Sequence, residues 1–272
     1  MTEVPAARPP ARFARELTAL VLAPLAVWLV GWSPAWAFNV AIALISTLAL
    51  IEFLALGTRK GYDIPVILCV LVALFITASF ILEKVSVEMG MFLALLIIPA
   101  SYVIRTGSIE EALPSSAVAV FATMYVGMLA GSLIRLRNDF PEGPYLVFFL
   151  VLVVWLGDAG AYYTGKKFGK RKLSPRISPK KTVEGAIGGV LFGTLFIVLV
   201  GRFVFGLPPL VLVPFGVIVV TLGIAGDLFE SRLKRAAGVK DSSNLIPGHG
   251  GVLDRIDALL FAAPAFYVYF KG

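Results

Sequence analysis

The stretch PYLVFFLVLVVWLGDAGAYYT, residues 144–164, is long and apolar enough to cross a membrane as one helix. It is followed by GKKFGKRKLSPRISPKKTVE, residues 165–184, which is polar and rich in Lys and Arg. An apolar run of about 20 residues that ends at a basic segment is typical of a transmembrane helix whose end faces the cytoplasm. Because similar apolar runs recur along the chain, this stretch decides the fold class.

The composition of the 272-residue chain agrees with a membrane protein. Hydrophobic residues make up 58% of it, charged residues 15%, and the mean hydropathy is +0.90. Soluble globular chains are about 45–50% apolar and about 25% charged, so one soluble core of this size could not bury so much apolar surface. A disordered chain, a disulfide scaffold and a free cytosolic enzyme are excluded. The single cysteine, Cys69, is expected in the core or against lipid.

The apolar runs predict an all-α fold, a polytopic membrane helical bundle of about nine transmembrane helices. They lie near residues 17–32, 35–56, 64–82, 88–104, 114–134, 144–164, 185–206, 208–229 and 252–270. We expect three parts: a cytoplasmic N-terminal tail, a membrane region of about five spans and a membrane region of about four spans, at residues 1–16, 17–143 and 144–272. Segments 165–184 and 230–251 are predicted to be cytoplasmic loops.

The distribution of basic residues predicts the orientation. With the N-terminus inside, 19 of the 24 Lys and Arg residues lie on the cytoplasmic side. The net charge of +7 comes largely from the two basic loops, and positive-inside topology with attraction to anionic lipid head groups explains it. Nucleic acid is not an expected partner, because these residues lie against the membrane and no nucleic-acid motif accompanies them.

Acidic residues gather at the predicted cytoplasmic ends of the membrane helices, where carboxylates are costly. Asp158 closes the sixth run, Asp227 and Glu230 close the eighth, and Asp254 and Asp257 open the ninth. Carboxylates held close together repel unless a cation lies between them, and Mg²⁺ typically takes one or two carboxylates plus substrate phosphates. We therefore predict that Asp227, Asp254 and Asp257 hold a metal ion. The alternative, that acids complement a helix dipole, could explain Asp254 and Asp257 but not the acids at a C-terminal end.

One further acid lies within an apolar run. Glu52 is in the second run, late enough to approach the cytoplasmic boundary. We favour a hydrogen-bonded or snorkelling carboxylate near that boundary over a functional group.

Basic residues and glycine-rich turns lie beside the acids. The sequences SPKKT, residues 178–182, and PGHGG, residues 247–251, each lead into a predicted membrane helix. Backbone N–H groups at such a turn favour phosphate. The only histidine, His249, could make either a turn hydrogen bond or a contact to a phosphate or leaving group. The basic residues that could neutralise a polyphosphate are Lys180, Lys181, Lys234, Arg235, Lys240 and Arg255.

The segment 231–257 resembles the signature of the phosphatidate cytidylyltransferases (CDP-diacylglycerol synthases). The matching positions are Ser231, Leu233, Lys234, Arg235, Lys240, Asp241, Ser243, Ile246, Pro247, His249, Gly250, Gly251, Val252, Asp254, Arg255, Ile256 and Asp257. A second element, which joins Asp158, Ala161 and Tyr162 to the pattern SPxKTxEG at 178–185, resembles the upstream cytoplasmic motif of this family. The resemblance is close over residues 155–257 and rests on hydropathy alone over the first 150.

The resemblance implies transfer of CMP from CTP to phosphatidate, which gives CDP-diacylglycerol and diphosphate in phospholipid biosynthesis. It also implies Mg²⁺ dependence, a polar cavity open to the cytoplasm, a place in the cytoplasmic (inner) membrane and a homodimer; a second cation such as K⁺ stays open. The region 144–272 would be catalytic. Catalytic roles would fall to Asp227, Lys234, Arg235, His249, Asp254, Arg255 and Asp257. Substrate contacts would come from Asp158, Ser178, Lys180, Lys181, Thr182, Glu184, Lys240, Asp241, Gly250 and Gly251.

Two other functions fit parts of the pattern. An archaeal-type CDP-archaeol synthase is a related cytidylyltransferase that acts on an ether-linked lipid phosphate, but the signature here fits the diacyl enzyme better. A transporter or channel with a cytoplasmic metal-sensing gate is compatible with the predicted spans and with Glu52. Transporters, however, usually keep polar groups at the bilayer midplane in paired broken helices, whereas these acids lie at one face.

Overall fold

The computed structural model describes residues 12–82, 84–105 and 107–272. Most of the described chain is helical, and a short antiparallel hairpin is inserted between two of the helices. The helices are α1 (Arg12–Gly31), α2 (Ala35–Arg59), α3 (Val66–Ser79), α4 (Val87–Ser101), α5 (Ile109–Asn138), α6 (Gly143–Phe168), α7 (Val183–Phe203), α8 (Pro209–Ala236) and α9 (Leu253–Lys271). The strands are β1 (Lys172–Ser174) and β2 (Ser178–Thr182). Residues 1–11 of the predicted tail lie outside the described residues, and α1 begins at Arg12, inside the segment expected as tail.

The helices agree with the predicted membrane bundle. By length and composition, α2, α5, α6, α7 and α8 could each cross a membrane. The apolar parts of α1, α3 and α4 are shorter. Among the described helices α9 belongs to neither group, since it carries Asp254, Arg255, Asp257 and Lys271. The all-helical class is confirmed, and the chain has the character of a multi-pass membrane protein.

The surface of the helices also suits lipid. On α7, the side chains of Ile187, Leu191 and Leu195 are each more than half exposed and lie one helical turn apart. A row of exposed apolar side chains is unfavourable in water and costs nothing against acyl chains. Cys69, by contrast, is fully buried in the core.

The two predicted basic loops are partly ordered as secondary structure, which corrects the prediction for 165–184 and 230–251. In the first segment α6 continues to Phe168, and β1 pairs with β2 with Lys172 opposite Thr182. In the second, α8 continues to Ala236, so the loop begins at 237. The sequence Glu230–Ala236 favours helix because its Arg, Leu and Lys are good helix formers and Glu230 pairs with Lys234 at spacing i, i+4. The predicted site residues up to Arg235 therefore lie on a helix.

Close packing of α6 against α7 fixes the hairpin relative to the bundle. A Cβ atom at Gly185, in the first turn of α7, would lie 2.8 Å from the carbonyl oxygen of Ala161 on α6. Only glycine allows the two backbones this approach. Thr182, the last residue of β2, caps α7 through a 3.1 Å hydrogen bond that its hydroxyl accepts from Gly185 N.

An aromatic cluster joins the helices of the N-terminal half of the chain to those of the C-terminal half. Its rings come from α2, α5, α8 and α9, with centroids 5.6–6.1 Å apart. Such distances suit tilted and edge-to-face contacts. The members of this cluster are Phe53, Phe121, Tyr125, Phe229 and Phe261. Phe53 follows Glu52 directly, so the cluster packs the part of α2 that carries Glu52 against α5.

Candidate functional site

An ion pair links the hairpin to α8. Lys181 on β2 donates a hydrogen bond from its ammonium group to Asp227 Oδ2, and the Ser231 hydroxyl lies 3.3 Å from Asp227 Oδ1. The neighbouring Lys180 is exposed. The Lys181 and Asp227 side chains keep 30% and 31% of their surface accessible. This pair can therefore be reached from outside the protein.

A second, buried ion network lies deeper, between α8 and α9. The Lys234 ammonium group is 2.5 Å from Glu230 Oε2 and 2.5 Å from Asp254 Oδ1. Only 11% of the Lys234 side chain is accessible, with 2% for Glu230 and 3% for Asp254. Two buried carboxylates thus share one ammonium group, and within the described chain Glu230 Oε1 accepts no hydrogen bond. A cluster with this charge favours a further positive charge nearby.

Asp254 also organises the loop that precedes α9. Its Oδ2 accepts hydrogen bonds from Gly251 N at 2.7 Å and Ser242 N at 3.0 Å, and the Ser242 hydroxyl oxygen lies 2.9 Å away. Gly250 has a φ of +83°, a left-handed conformation that glycine adopts without strain, and it faces Ile246 in an isolated bridge. Oδ2 of Asp254 is therefore engaged by the loop, and Oδ1 is engaged by Lys234.

Asp257, one turn further along α9, faces α8. A Cβ atom at Gly226 would lie 2.6 Å from the Asp257 carbonyl oxygen, so glycine is needed for the two helices to approach here. Asp227, the next residue on α8, is close enough for its charge to act on Asp257. Asp257 Oδ1 accepts one hydrogen bond, 2.7 Å from Ala258 N. Asp158 on α6 lies within electrostatic range of Asp227 and Lys181 as well.

These positions can be compared with the needs of Mg²⁺. Among the described residues no three His, Cys, Asp or Glu side chains form a group that could hold a metal ion. Asp227 and Asp257, whose charges act on each other, could supply the one or two carboxylates that Mg²⁺ usually takes, with phosphate and water oxygens completing its shell. Asp254, the third predicted ligand, could join them only through Oδ1, which contacts Lys234 here.

Glu52 reaches the site from α2, and the sequence did not identify it as a functional residue. It is 6% exposed and accepts four hydrogen bonds, at 2.6–3.0 Å. The donors are the hydroxyls of Ser242 and Ser243 and the backbone N–H groups of Val252 and Leu253. These bonds agree with the interpretation of a hydrogen-bonded carboxylate. The only sequence signal for Glu52 was an acid within an apolar run, and this signal did not indicate which residues it would contact.

Other predicted residues support the backbone. Arg235 donates to Ile177 O at 3.3 Å and to Val239 O at 3.0 Å, which ties the end of α8 to the hairpin. Glu184 accepts from the backbone N–H groups of Lys170 and Arg171 at 3.0–3.3 Å. Thr182 likewise binds the backbone, since its hydroxyl accepts the hydrogen bond from Gly185 N that caps α7.

Of the remaining predicted residues, Gly251 reaches the ion networks through the hydrogen bond from its N–H to Asp254 Oδ2. Lys240, Asp241 and Arg255 are exposed, as is Lys180, while Ser178 lies in β2 opposite Ser174. The backbone N–H of His249 makes a turn hydrogen bond of 2.9 Å to Ile246 O. Its side-chain Nδ1 is buried and has no hydrogen-bond partner among the described residues. Gly250 and Gly251 form the turn above Asp254.

Two hollows lie near the predicted cytoplasmic ends of the helices. A narrow crevice of only about 10 Å³ lies beside Asp158, lined by Val154, Gly157, Val220, Gly223, Ile224 and Ala258. A hollow of about 250 Å³ lies away from the ion pairs and is lined in part by Asp63, Tyr102 and Arg105. There, hydrogen bonds from the Arg105 guanidinium hold the pKa of the Asp63 carboxyl below its usual range. The predicted polar cavity open to the cytoplasm stays a prediction.

The chain is similar to known proteins over nearly its whole length. Residues 13–272 match the family model described as the cytidylyltransferase family. A phosphatidate cytidylyltransferase of Bacillus subtilis is 35% identical over 243 residues, which cover 85% of this chain and 87% of the relative. The protein of that name from Staphylococcus saprophyticus is 35% identical over 258 residues, 92% of this chain and 95% of the relative. One from Aquifex aeolicus is 45% identical over 152 residues, 55% of each chain.

Proposed function

The chain belongs to the cytidylyltransferase family, and we propose that it transfers CMP from CTP to phosphatidate, giving CDP-diacylglycerol and diphosphate. The observation that carries this proposal is the placement of two lysine ammonium groups among the carboxylates of α8 and α9. These elements carry the signature that resembles the family. The phosphatidate cytidylyltransferases to which the chain is similar cover most of its length, and this supports the lipid substrate.

The proposed location is the cytoplasmic (inner) membrane, with about nine spans and the site on the cytoplasmic side. The asymmetry of 19 basic residues out of 24 supports this orientation. The ion pairs of β2, α8 and α9 then face the compartment that holds CTP, while the exposed apolar sides of the helices contact the lipid that holds phosphatidate. The homodimer stays a prediction.

The nucleophile of the proposed reaction needs no general base. The second pKa of a phosphate monoester is about 6, so the attacking oxygen of phosphatidate is already ionised near pH 7. That oxygen forms a bond to the α-phosphorus of CTP, and the bond from this phosphorus to the bridging oxygen of the β-phosphate breaks. Diphosphate leaves with the electron pair of that bond. The only histidine of the chain would contact phosphate rather than accept a proton.

The main obstacle is the approach of one anion to another, and the basic side chains would reduce it. Lys181 is accessible enough to exchange Asp227 for a phosphate oxygen, whereas Lys234 lies deeper, between Glu230 and Asp254. Arg235 and Arg255, both exposed, are the other proposed phosphate contacts. Charge neutralisation with in-line positioning is the usual means of catalysis in phosphoryl transfer.

Asp227 and Asp257 would hold Mg²⁺, with Asp254 as the third proposed ligand. When bound, the ion neutralises charge on the nucleotide phosphates and on the leaving diphosphate. A second cation such as K⁺ is proposed near Glu230 and Asp254, because these two buried carboxylates share a single ammonium group.

The test is diphosphate release by the purified protein in mixed micelles, with CTP, phosphatidate and Mg²⁺ omitted one at a time. The proposal expects release only when all three are present, and it expects ATP, GTP and UTP to fail in place of CTP. Release without lipid would instead identify a nucleotide hydrolase. Activity with an ether-linked lipid phosphate but not with phosphatidate would identify a CDP-archaeol synthase.

A further inference from the structure

The N-terminal end of α9 has an unusual cap. The residue at its N-cap position is Val252, whose side chain can neither accept nor donate a hydrogen bond. The first N–H groups of a helix need acceptors, and here Val252 N and Leu253 N donate to Glu52 at 3.0 and 2.8 Å. The acceptor thus comes from α2, 200 residues earlier in the chain.

The same carboxylate holds the loop before α9. Each oxygen of Glu52 accepts one hydroxyl and one backbone N–H: Oε1 from Ser243 and Val252, Oε2 from Ser242 and Leu253. All four donors are neutral, and the carboxylate is buried. A buried carboxylate that accepts hydrogen bonds from the Ser243 hydroxyl and from two backbone N–H groups fixes these groups, since they would otherwise be unsatisfied.

Ser242 connects Glu52 to Asp254. Its hydroxyl oxygen is 2.9 Å from Glu52 Oε2 and 2.9 Å from Asp254 Oδ2, but a hydroxyl has one proton to donate. The Ser242 N–H and Gly251 N–H complete the contacts of Asp254 Oδ2. A side chain at Gly251 would collide with the Ser242 hydroxyl and with Glu52. Glycine at this position therefore permits the contact between the two halves of the chain.

We infer that Glu52 is a positioning residue for the proposed reaction: it sets the N-terminal turn of α9, and with it Asp254 and Asp257. This inference rests on the proposed function. Glu52 acts on the proposed site indirectly, through Ser242 and through the backbone at the start of α9. Residues that orient a metal ligand without touching the metal typically cost about 10- to 100-fold in activity or metal affinity when they are replaced. We expect an effect of this size for replacement of Glu52.

The first test is Glu52→Gln, which keeps the size of the side chain and replaces one acceptor oxygen by an NH₂ donor. We expect kcat to fall about 10- to 100-fold with a smaller change in KM for CTP, because the carboxylates of α9 act most strongly on the charge of the transition state. Glu52→Asp keeps the acceptor and should recover part of the loss. Asn39→Ala is the matched control. Asn39 is buried at the end of α2 opposite to Glu52, and it accepts a 2.9 Å hydrogen bond from Asn138 of α5. This control should keep the wild-type kcat.

A second readout does not depend on activity. If Glu52 holds the loop through Ser242 and Ser243, Glu52→Gln should speed tryptic cleavage after Lys240 in the folded protein, and Asn39→Ala should not. Equal cleavage rates and an unchanged kcat for Glu52→Gln would overturn the inference. So would a loss of thermal stability alone, shared by Glu52→Gln and Asn39→Ala, with kcat intact in both.

The outcomes separate the inference from the proposed function. If the wild-type protein does not use CTP and phosphatidate, the proposed function fails, while proteolysis still tests whether Glu52 holds the loop. If Glu52→Gln does not fold, Ser243→Ala removes one of the four donors and serves in its place. A wild-type kcat and cleavage rate for Ser243→Ala would then count against positioning by Glu52.

Discussion

The N-terminal half of the chain, α1–α5, and the C-terminal half, α6–α9, differ in what their polar residues do. In the C-terminal half, Lys181, Asp227, Lys234 and Asp254 gather in two neighbouring ion networks. In the described part of the N-terminal half, the polar contacts mainly hold turns together, and Glu52 is the acid that reaches the loop around Asp254. The difference teaches that the ion pairs are concentrated in and beside the signature, while the N-terminal turn of α9 is held by a residue outside the signature.

The strongest effect should come from the carboxylates between α8 and α9. Asp257→Asn and Asp227→Asn should each lower turnover by at least about 100-fold, because they remove charge that the proposed metal ion needs. Asp254→Asn should do the same while the protein stays in the membrane. Glu88→Gln, on the exposed first turn of α4, is the control in the N-terminal half. Diphosphate release measures the effect, and near-normal turnover by Asp257→Asn would make the metal assignment wrong.

The two lysines of the site should separate stability from turnover. Lys234→Met leaves Glu230 and Asp254 buried without their ammonium group, which typically costs about 3–5 kcal/mol. Lys181→Met breaks a partly accessible pair, which contributes about 0–1 kcal/mol, so it should lower turnover with little change in thermal stability. Thermal unfolding in detergent and turnover are measured together. Equal losses of stability for both variants would contradict the distinction between a buried and an accessible pair.

A matched pair of glycines tests whether a shift of a helix affects turnover equally in the two halves of the chain. A methyl group at Gly226 would meet the backbone of Asp257 at 2.6 Å, whereas one at Gly131 on α5 would meet the ring of Phe80. Gly226→Ala should shift α9 and lower turnover by up to about 100-fold, since a 1 Å misplacement can cost this much. Gly131→Ala should lower thermal stability and leave the turnover per folded molecule unchanged. A similar loss of turnover in both would show that the N-terminal half controls the site more widely.

The smallest effect should come from the ion pair of Asp63 and Arg105 in the N-terminal half. The lowered pKa of Asp63 means that this pair contributes to stability fully above the ordinary carboxyl value of about 3.8. The contribution is lost as the pH falls through the lowered value. Asp63→Asn should therefore be slightly less stable than the wild type near pH 7 and equal to it in strong acid. A wild-type advantage that persisted below the lowered pKa would contradict this origin.

The helices were largely predictable, and the connections were not. The predicted run at 35–56 corresponds to α2 and the run at 208–229 to the apolar part of α8, since hydropathy and length are local properties. The extension of α8 to Ala236 and the hairpin of β1 and β2 were not predicted. Polar, charged segments carry no hydropathy period, and the hairpin depends on the contact of Glu184 with the backbone of Lys170 and Arg171.

The sequence by itself determined the membrane class, the helices and the chemical inventory of the site, including the acids and lysines of the family signature. These follow from composition and from the residue types at each position. Only the tertiary structure decided that Lys181 pairs with Asp227, that Glu230 shares Lys234 with Asp254, and that Glu52 caps α9. Contacts between residues far apart in the chain depend on where helices cross and how closely glycines let them approach. That information lies in the packing of the whole bundle and not in any one segment.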